Sequence, residues 1–186
     1  HTSFRNVTGV QTCALPILHN DRRAAGLQRE EDDMPGERVR QCLDEARIRY
    51  IIIRHSPEFT AQEIAATTHI RGKELAKTVM VKIDGSMAMA VITASSKVDL
   101  ERLREAVGAE SAELATEEEF GGLFPECEVG AMPPFGQLYD MPVFVDALLR
   151  EDEEIAFNAG SHIDLIQMSY TDYERVVSPA IVRIRA

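Results

Sequence analysis

Two apolar runs, residues 78–83 and 87–93, face each other across Asp84-Gly85-Ser86, and no other feature limits the fold as much. Asp-Gly between β-prone segments favours a tight turn with positive φ, whose twist matches that of paired strands. An antiparallel pair is therefore predicted in the middle of the chain. Before it, Val39, Leu43, Ala46 and Ile48 give a helical face ending near Arg47, and residues 50–53 a short strand. Thr60 with Glu63 three residues on reads as a capping box opening a helix to about Thr67. After it, Asp99 caps a helix bearing Leu100, Leu103 and Val107, and Thr116 with Glu119 forms another capping box. Strands are expected at 143–145, 154–157 and 163–168, with a short helix over 172–177. These elements lack the regular strand–helix alternation of a doubly wound sheet. An α+β fold is predicted, with a mainly antiparallel or mixed sheet, curved or closed, and helices packed outside.

The chain has 186 residues, enough for one domain with a sizeable core. Residues 34–186 are read as that domain. Residues 1–33 show weak periodicity and are expected to be non-native or disordered, and the stretch from Arg5 to Ile17 resembles a translated sequencing-adapter fragment. On that reading the natural protein starts at Met34. No apolar run approaches the ~20 residues of a membrane helix, so no membrane association is expected. The net charge of -11 argues against a general nucleic-acid coat and against DNA. Local binding of one RNA end remains open, because Arg71, Lys73, Lys77 and Lys82 cluster with only Glu74 among them. Cys13, Cys42 and Cys127 make no CxxC pair, which fits a reducing cytoplasm. Cys127 lies between Glu126 and Glu128, which disfavour its thiolate.

Three places could carry chemistry. Lys77 stands at the mouth of the apolar run Thr78-Val79-Met80-Val81. An arbitrary strand-start lysine simply snorkels to water; one held rigidly could sit beside a phosphate or a developing oxyanion. In Gly130-Ala131-Met132-Pro133-Pro134-Phe135-Gly136, two prolines stiffen a loop with glycine at each end. It is either a tight turn or a clamp using the N–H of Ala131 or Met132, since proline donates nothing. The third place is Phe157-Asn158-Ala159-Gly160-Ser161-His162, a turn bent at Gly160 whose histidine either caps a strand or bonds a substrate. His55 carries the same ambiguity, and His69 receives no role. No metal site is expected, because no histidines stand at i, i+4 and the acidic runs read as solvated faces. Ser161, His162 and Asp164 are too close on one strand to converge as a triad.

Taken in order, His55 with Thr60-Ala61-Gln62-Glu63, Leu75-Ala76-Lys77-Thr78-Val79, the Gly130–Gly136 loop and the Asn158–His162 turn resemble the YbaK-type aminoacyl-tRNA deacylases. These are similar to the editing domain inserted in bacterial prolyl-tRNA synthetases, and the resemblance spans about residues 34–177. It implies a compact fold around a curved, barrel-like mixed sheet. It also implies metal-independent, cofactor-free hydrolysis of the ester joining a wrong amino acid to the tRNA 3′ adenosine. Lys77 would hold the terminal phosphate and ribose, and Gly130 and Ala131 would embrace the aminoacyl carbonyl. His55, Thr60, Met132, Pro133, Asn158, Gly160 and His162 would line the substrate. The implied partner is the 3′ end of aminoacyl-tRNA, with a synthetase as a second partner. The alternative is a module of the same fold that binds an aminoacyl or nucleotide-like ligand without turnover.

Overall fold

The computed structural model describes residues 36–55 and 74–186. The capping box at Thr60 and Glu63, and the reading of residues 1–33, lie outside the described residues. The central hairpin forms as predicted: β2 (Ala76–Ile83) pairs antiparallel with β3 (Ser86–Thr93), Ile83 opposite Ser86 and Ala76 opposite Thr93. Its turn takes positive φ at both central residues, Asp84 (49°) and Gly85 (79°), the mirror-image geometry that Asp-Gly accepts. The Asp84 carboxylate then accepts from the N–H groups of Glu110 and Ser111 and holds the turn against the next connection.

The helices follow their caps. α1 (Glu37–Glu45) buries Val39 and Leu43. α2 (Leu100–Val107) begins where Asp99 accepts from the Arg102 N–H at 3.0 Å. The short α3 (Glu117–Phe120) carries the Thr116/Glu119 capping box. In α4 (Tyr170–Val177) the first turn starts two residues earlier than the sequence suggests, because Ser169 serves as its cap.

The strands form two sheets. One runs in the order β1 (Tyr50–Arg54), β7 (Asp164–Ser169), β6 (Glu154–Asn158), all antiparallel. The other runs β4 (Ala112–Leu114), β2, β3, β5 (Val143–Asp146), β8 (Ala180–Val182), with parallel pairs at β3–β5 and β5–β8. The mixed α/β expectation holds, but the described strands make two sheets and no closed barrel. The sheets touch through one parallel bridge, Leu75 to Ala156. β4 and β8 escape the sequence reading because three residues are too few to display an alternation.

One apolar cluster draws from both sheets: Met80, Met89, Val91, Val143 and Val145 from the larger, Ile155, Phe157, Ile166 and Met168 from the smaller. Helices α1 and α4 and the Met132–Phe135 loop complete it. A second cluster lies on the opposite face of the larger sheet, where Val81, Ala90 and Ile92 meet Leu103 of α2 and Ile184. Side chains alternate across a strand, so residues 79, 81 and 83 face α2 while 76 and 80 face the main core.

The two loop glycines serve different needs. Gly130 has φ 87°, where a side chain is strained. Gly136 is needed for room: a Cβ there would come within 2.4 Å of the Met141 carbonyl oxygen and 2.6 Å of Val143 Cγ2. Gly136→Ala is therefore expected to cost about 1–3 kcal/mol through overpacking, read as a lower thermal unfolding midpoint.

Candidate active site

The sequence motifs meet around the end of β6. The Glu128 N–H donates to the Gly160 carbonyl at 2.8 Å, and the Gly160 N–H donates to the Ala131 carbonyl at 3.0 Å. The Pro/Gly loop and the Asn158–His162 turn are thus laced together by main chain. His162 adds two contacts: its N–H donates to the Glu128 carboxylate at 2.7 Å, and its Nε2 lies 2.9 Å from the Val129 carbonyl. A carbonyl only accepts, so Nε2 carries a proton in this contact. The imidazole packs over Gly130, its Cε1 at 3.5 Å from where a Cβ would stand. His55 joins the same region through its N–H, which donates to the Ile163 carbonyl at 2.9 Å.

Lys77 comes in through the bridge between sheets. Leu75 lies opposite Ala156 in parallel register, and both belong to a small cluster with Leu165. Lys77 and Asn158 each follow this bridge by two residues along their own strands. Asn158 ends β6 and leads directly into the turn bonded to Ala131. Lys77 is half-buried and, among the described residues, is in no ion pair. Burial lowers its ammonium pKa, and repulsion from Lys97 lowers it further. Lys82, at the other end of β2, is held by Glu113 at 2.8 Å and Glu119 at 2.6 Å. That contrast separates the two lysines: Lys82 is paired with acids, and Lys77 is in no ion pair among the described residues.

The loop's own donors are unequal. The Ala131 N–H is taken by the Glu128 carbonyl at 2.9 Å, so it does not point into free space. The Gly130 N–H meets only the Met132 sulfur, at 3.2 Å. The Met132 N–H has no acceptor among the described residues, while its side chain is sunk in the main core. Pro133 and Pro134 are buried, and their carbonyls accept from the Phe135 N–H and the Tyr173 hydroxyl. The loop is thus held from behind by Tyr173, a fully buried ring stacked edge-on to Phe135. Thr60 lies outside the described residues.

Ser161, His162 and Asp164 do not line up as a relay. Ser161 Oγ donates to Asp164 at 3.2 Å, and Asp164 is paired with Arg54 at 2.8 Å, while the His162 ring is turned to Val129. The thiolate of Cys127 is disfavoured: burial above all pushes its thiol up to about 11, and Glu126 adds to this against a bond from Tyr139. The residue that sequence reasoning missed is Glu128, counted only as a neighbour of Cys127. Its backbone and carboxylate both grip the 160–162 turn, and no local pattern announces such a non-local bond. Among the described residues, no three His, Cys, Asp or Glu side chains are grouped to hold a metal, and no helix is long and apolar enough to cross a membrane.

Asp164 stabilises the turn from below, and the Arg54 guanidinium beside it holds its carboxyl below the usual range. A depressed carboxyl pKa contributes stability above the unfolded value, and that contribution is lost as pH falls. Asp164→Asn is expected to cost about 1–3 kcal/mol at neutral pH. Chemical denaturation repeated toward pH 3 should show the gap between wild type and variant closing.

Residues 55–176 match the family model of the aminoacyl-tRNA editing domain. The multifunctional Ser/Thr-tRNA deacylase ProXp-y of Escherichia coli K12 is 34% identical over 128 residues, covering 64% of this chain and 76% of the relative. The prolyl-tRNA editing protein ProX of Acetoanaerobium sticklandii is 23% identical over 141 residues, covering 73% and 85%. A proline–tRNA ligase of Bacillus mycoides aligns over 85 residues at 27% identity, 46% of this chain but 15% of the ligase. A crystal structure described as a trans-editing enzyme for prolyl tRNA synthetase superposes with a TM-score of 0.70 at 18% identity, over 81% of this chain and 96% of the other, which shows the shared fold. With its hairpin lysine, its Gly/Pro loop and the turn that locks onto it, the chain belongs to the aminoacyl-tRNA editing domain family.

Proposed function

We propose that this protein is a trans-acting deacylase that hydrolyses the ester of mischarged aminoacyl-tRNA, with its catalytic centre between Lys77 and the Gly130–Met132 loop. One observation supports the placement: Lys77 and Asn158 each lie two residues beyond the parallel bridge Leu75–Ala156, and Asn158 starts the turn bonded to that loop. The half-buried ammonium, unpaired among the described residues, suits the terminal phosphate and ribose of the 3′ adenosine. Hydrolysis adds water to the ester carbonyl, whose oxygen becomes an oxyanion, and then expels the ribose oxygen. A fixed N–H aimed at that oxygen lowers the barrier without reorganising. Because Ala131 donates to Glu128, the clamp narrows to the Met132 N–H, with Gly130 and Ala131 setting its direction. An aminoacyl ester is an activated bond, so positioning water or the ribose 2′-hydroxyl supplies much of the rate.

Asn158, Gly160, His162, His55 and Pro133 then shape the wall of the amino-acid pocket. With Nε2 donating to Val129, the other ring nitrogen of the exposed His162 is the one left to meet a cargo bearing a hydroxyl or ammonium donor. The name of the Escherichia coli relative makes seryl- and threonyl-tRNA the first esters to try. The likeness to proline–tRNA ligases supports a synthetase as second partner, and the proposal takes the cytoplasm as the site of the reaction. The same proposal includes a curved, barrel-like closure of the two sheets, for which the Leu75–Ala156 bridge is the support. It also takes residues 34–186 to work as one editing domain, consistent with a single core that runs from Val39 to Val177.

Across a panel of mischarged tRNAs, Lys77→Ala is expected to lower kcat/KM roughly 100-fold, the scale of losing one charged or oxyanion contact. Equal rates for the two proteins would end the role given to Lys77. The pH profile offers a separate check. If the ammonium is the working form, enzymatic turnover above the spontaneous rate falls as pH rises through the lowered pKa of Lys77. Lys97→Ala removes a repelling charge, so that alkaline limb should move to higher pH.

A further inference from the structure

A cleft of about 230 Å³ opens at the end of the larger sheet, lined by Arg102, Arg183 and Arg185 with Asp146, Glu151 and the Ala147-Leu148 turn. Its acids are unequal to its bases. Asp146 is buried and already accepts from the N–H groups of Leu148 and Ile184, both at 3.0 Å, so it works as a cap for the chain around it. Glu151 is exposed at the rim. Arg102 is tied to Asp99 and donates to the Arg185 carbonyl, but among the described residues neither Arg183 nor Arg185 is in an ion pair. Arg47 and Arg49 are also exposed and in no ion pair among the described residues, but Arg183 and Arg185 are the pair that shares one cleft with a third guanidinium, Arg102.

The register of the larger sheet relates this cleft to Lys77. Lys77 pairs with Ile92, whose neighbour Val91 pairs with Val145; Asp146 follows Val145 and pairs with Val182, which precedes Arg183. Lys77, Ile92, Asp146 and Val182 share the face occupied by Val79, Ala90 and Phe144, the face that α2 covers. Three strand spacings of about 4.8 Å put the cleft roughly 14 Å from Lys77 along one edge. Lys97 lies between: its carbonyl accepts from the Ala186 N–H, and neighbouring Val98 bridges to Arg185. Its charge is close enough to repel that of Lys77. Lys77, Lys97, Arg185 and Arg183 thus form a basic edge leading away from the proposed ester site.

We propose that the Arg102–Arg183–Arg185 cleft binds backbone phosphates of the tRNA acceptor end while the 3′ adenosine occupies the site at Lys77. The inference rests on the deacylase reading. Guanidinium groups match phosphate oxygens in paired fashion, and phosphate contacts fix register without reading sequence. An acidic protein that must hold one RNA end gains from confining its cations to the path that end follows. The contact is separate from the chemistry, so it governs affinity for the stem and not the breaking of the ester.

The test uses the full chain and the double variant Arg183→Glu/Arg185→Glu, with Arg183→Gln/Arg185→Gln as the milder form should charge reversal disturb folding. Binding of uncharged tRNA is titrated against salt, and hydrolysis is measured on a charged tRNA and on the same amino acid esterified to adenosine alone. Each phosphate contact contributes about 0.7–0.9 to the slope of log K against log salt. The variant should lose up to about two such contacts, flatten that slope accordingly and raise KM for the tRNA roughly tenfold. The loss is expected to be confined to the substrate that carries a stem. An unchanged slope and KM would overturn the proposal. So would an equal loss on the adenosine ester, or an effect only on competition by inorganic phosphate. If wild type hydrolyses neither ester, the deacylase reading fails, and the salt titration with uncharged tRNA still decides whether the cleft binds RNA.

Discussion

The crossed main-chain bonds between Glu128, Ala131 and Gly160 hold the site together. Glu128 donates to Gly160, and Gly160 donates back to Ala131, so two loops separated by 30 residues behave as one rigid unit. A buried or half-buried polar group left without its partner costs about 1–3 kcal/mol, which makes either loop hard to move alone. The histidine then closes the lacing with a bond from its main chain and another from its ring. Gly130 is held in a left-handed conformation against that ring.

The hydrophobic core supports this unit from behind. Phe135, Phe157 and Tyr173 pack in a ring-to-ring cluster with centroids 5.4–6.2 Å apart. They come from the loop, from β6 and from α4, so the apolar packing ties the same elements that the polar bonds join on the surface. Tyr173 is fully buried, and its hydroxyl stays protonated, since burial pushes its pKa well above the ordinary value. It therefore remains a hydrogen-bond donor to Pro134 across the physiological range. A catalytic centre that works by positioning needs such backing, because misplacing a donor by about 1 Å can cost on the order of 100-fold in rate.

Electrostatics divides the molecule by location. Most exposed cations are answered by nearby acids: Lys82 by Glu113 and Glu119, Arg104 by Glu101, Arg175 by Asp172. Such surface pairs contribute little to stability, but they remove charge from places where an anion is unwanted. Lys77, Arg183 and Arg185 have no such partner among the described residues. An acidic surface repels RNA over distances of about a Debye length; Arg47, Arg49 and Lys97 also lack an ion pair among the described residues, so the proposed phosphate path rests on the grouping of Lys77, Lys97, Arg183 and Arg185 along one sheet edge and not on unpaired charge alone.

Much of this was legible in the chain. Asp84-Gly85 announces the hairpin, Asp99 and Thr116 announce their helices, and Gly130 and Gly160 mark bends that only glycine accepts easily, because each of these is decided by neighbours a few residues away. The motif resemblance points to the lysine, the loop and the turn, and the acidic neighbours of Cys127 point to a disfavoured thiolate, though burial outweighs them as the cause of its raised pKa. Tertiary structure alone decided that the strands divide into two sheets, that three-residue β4 and β8 complete one of them, and that β5 runs parallel to its neighbours. It also decided which amide the loop keeps available, by spending that of Ala131 on Glu128. Local conformation is written in short-range sterics and side-chain bonds; strand order and the fate of a particular N–H depend on partners tens of residues away, chosen when the apolar faces find each other.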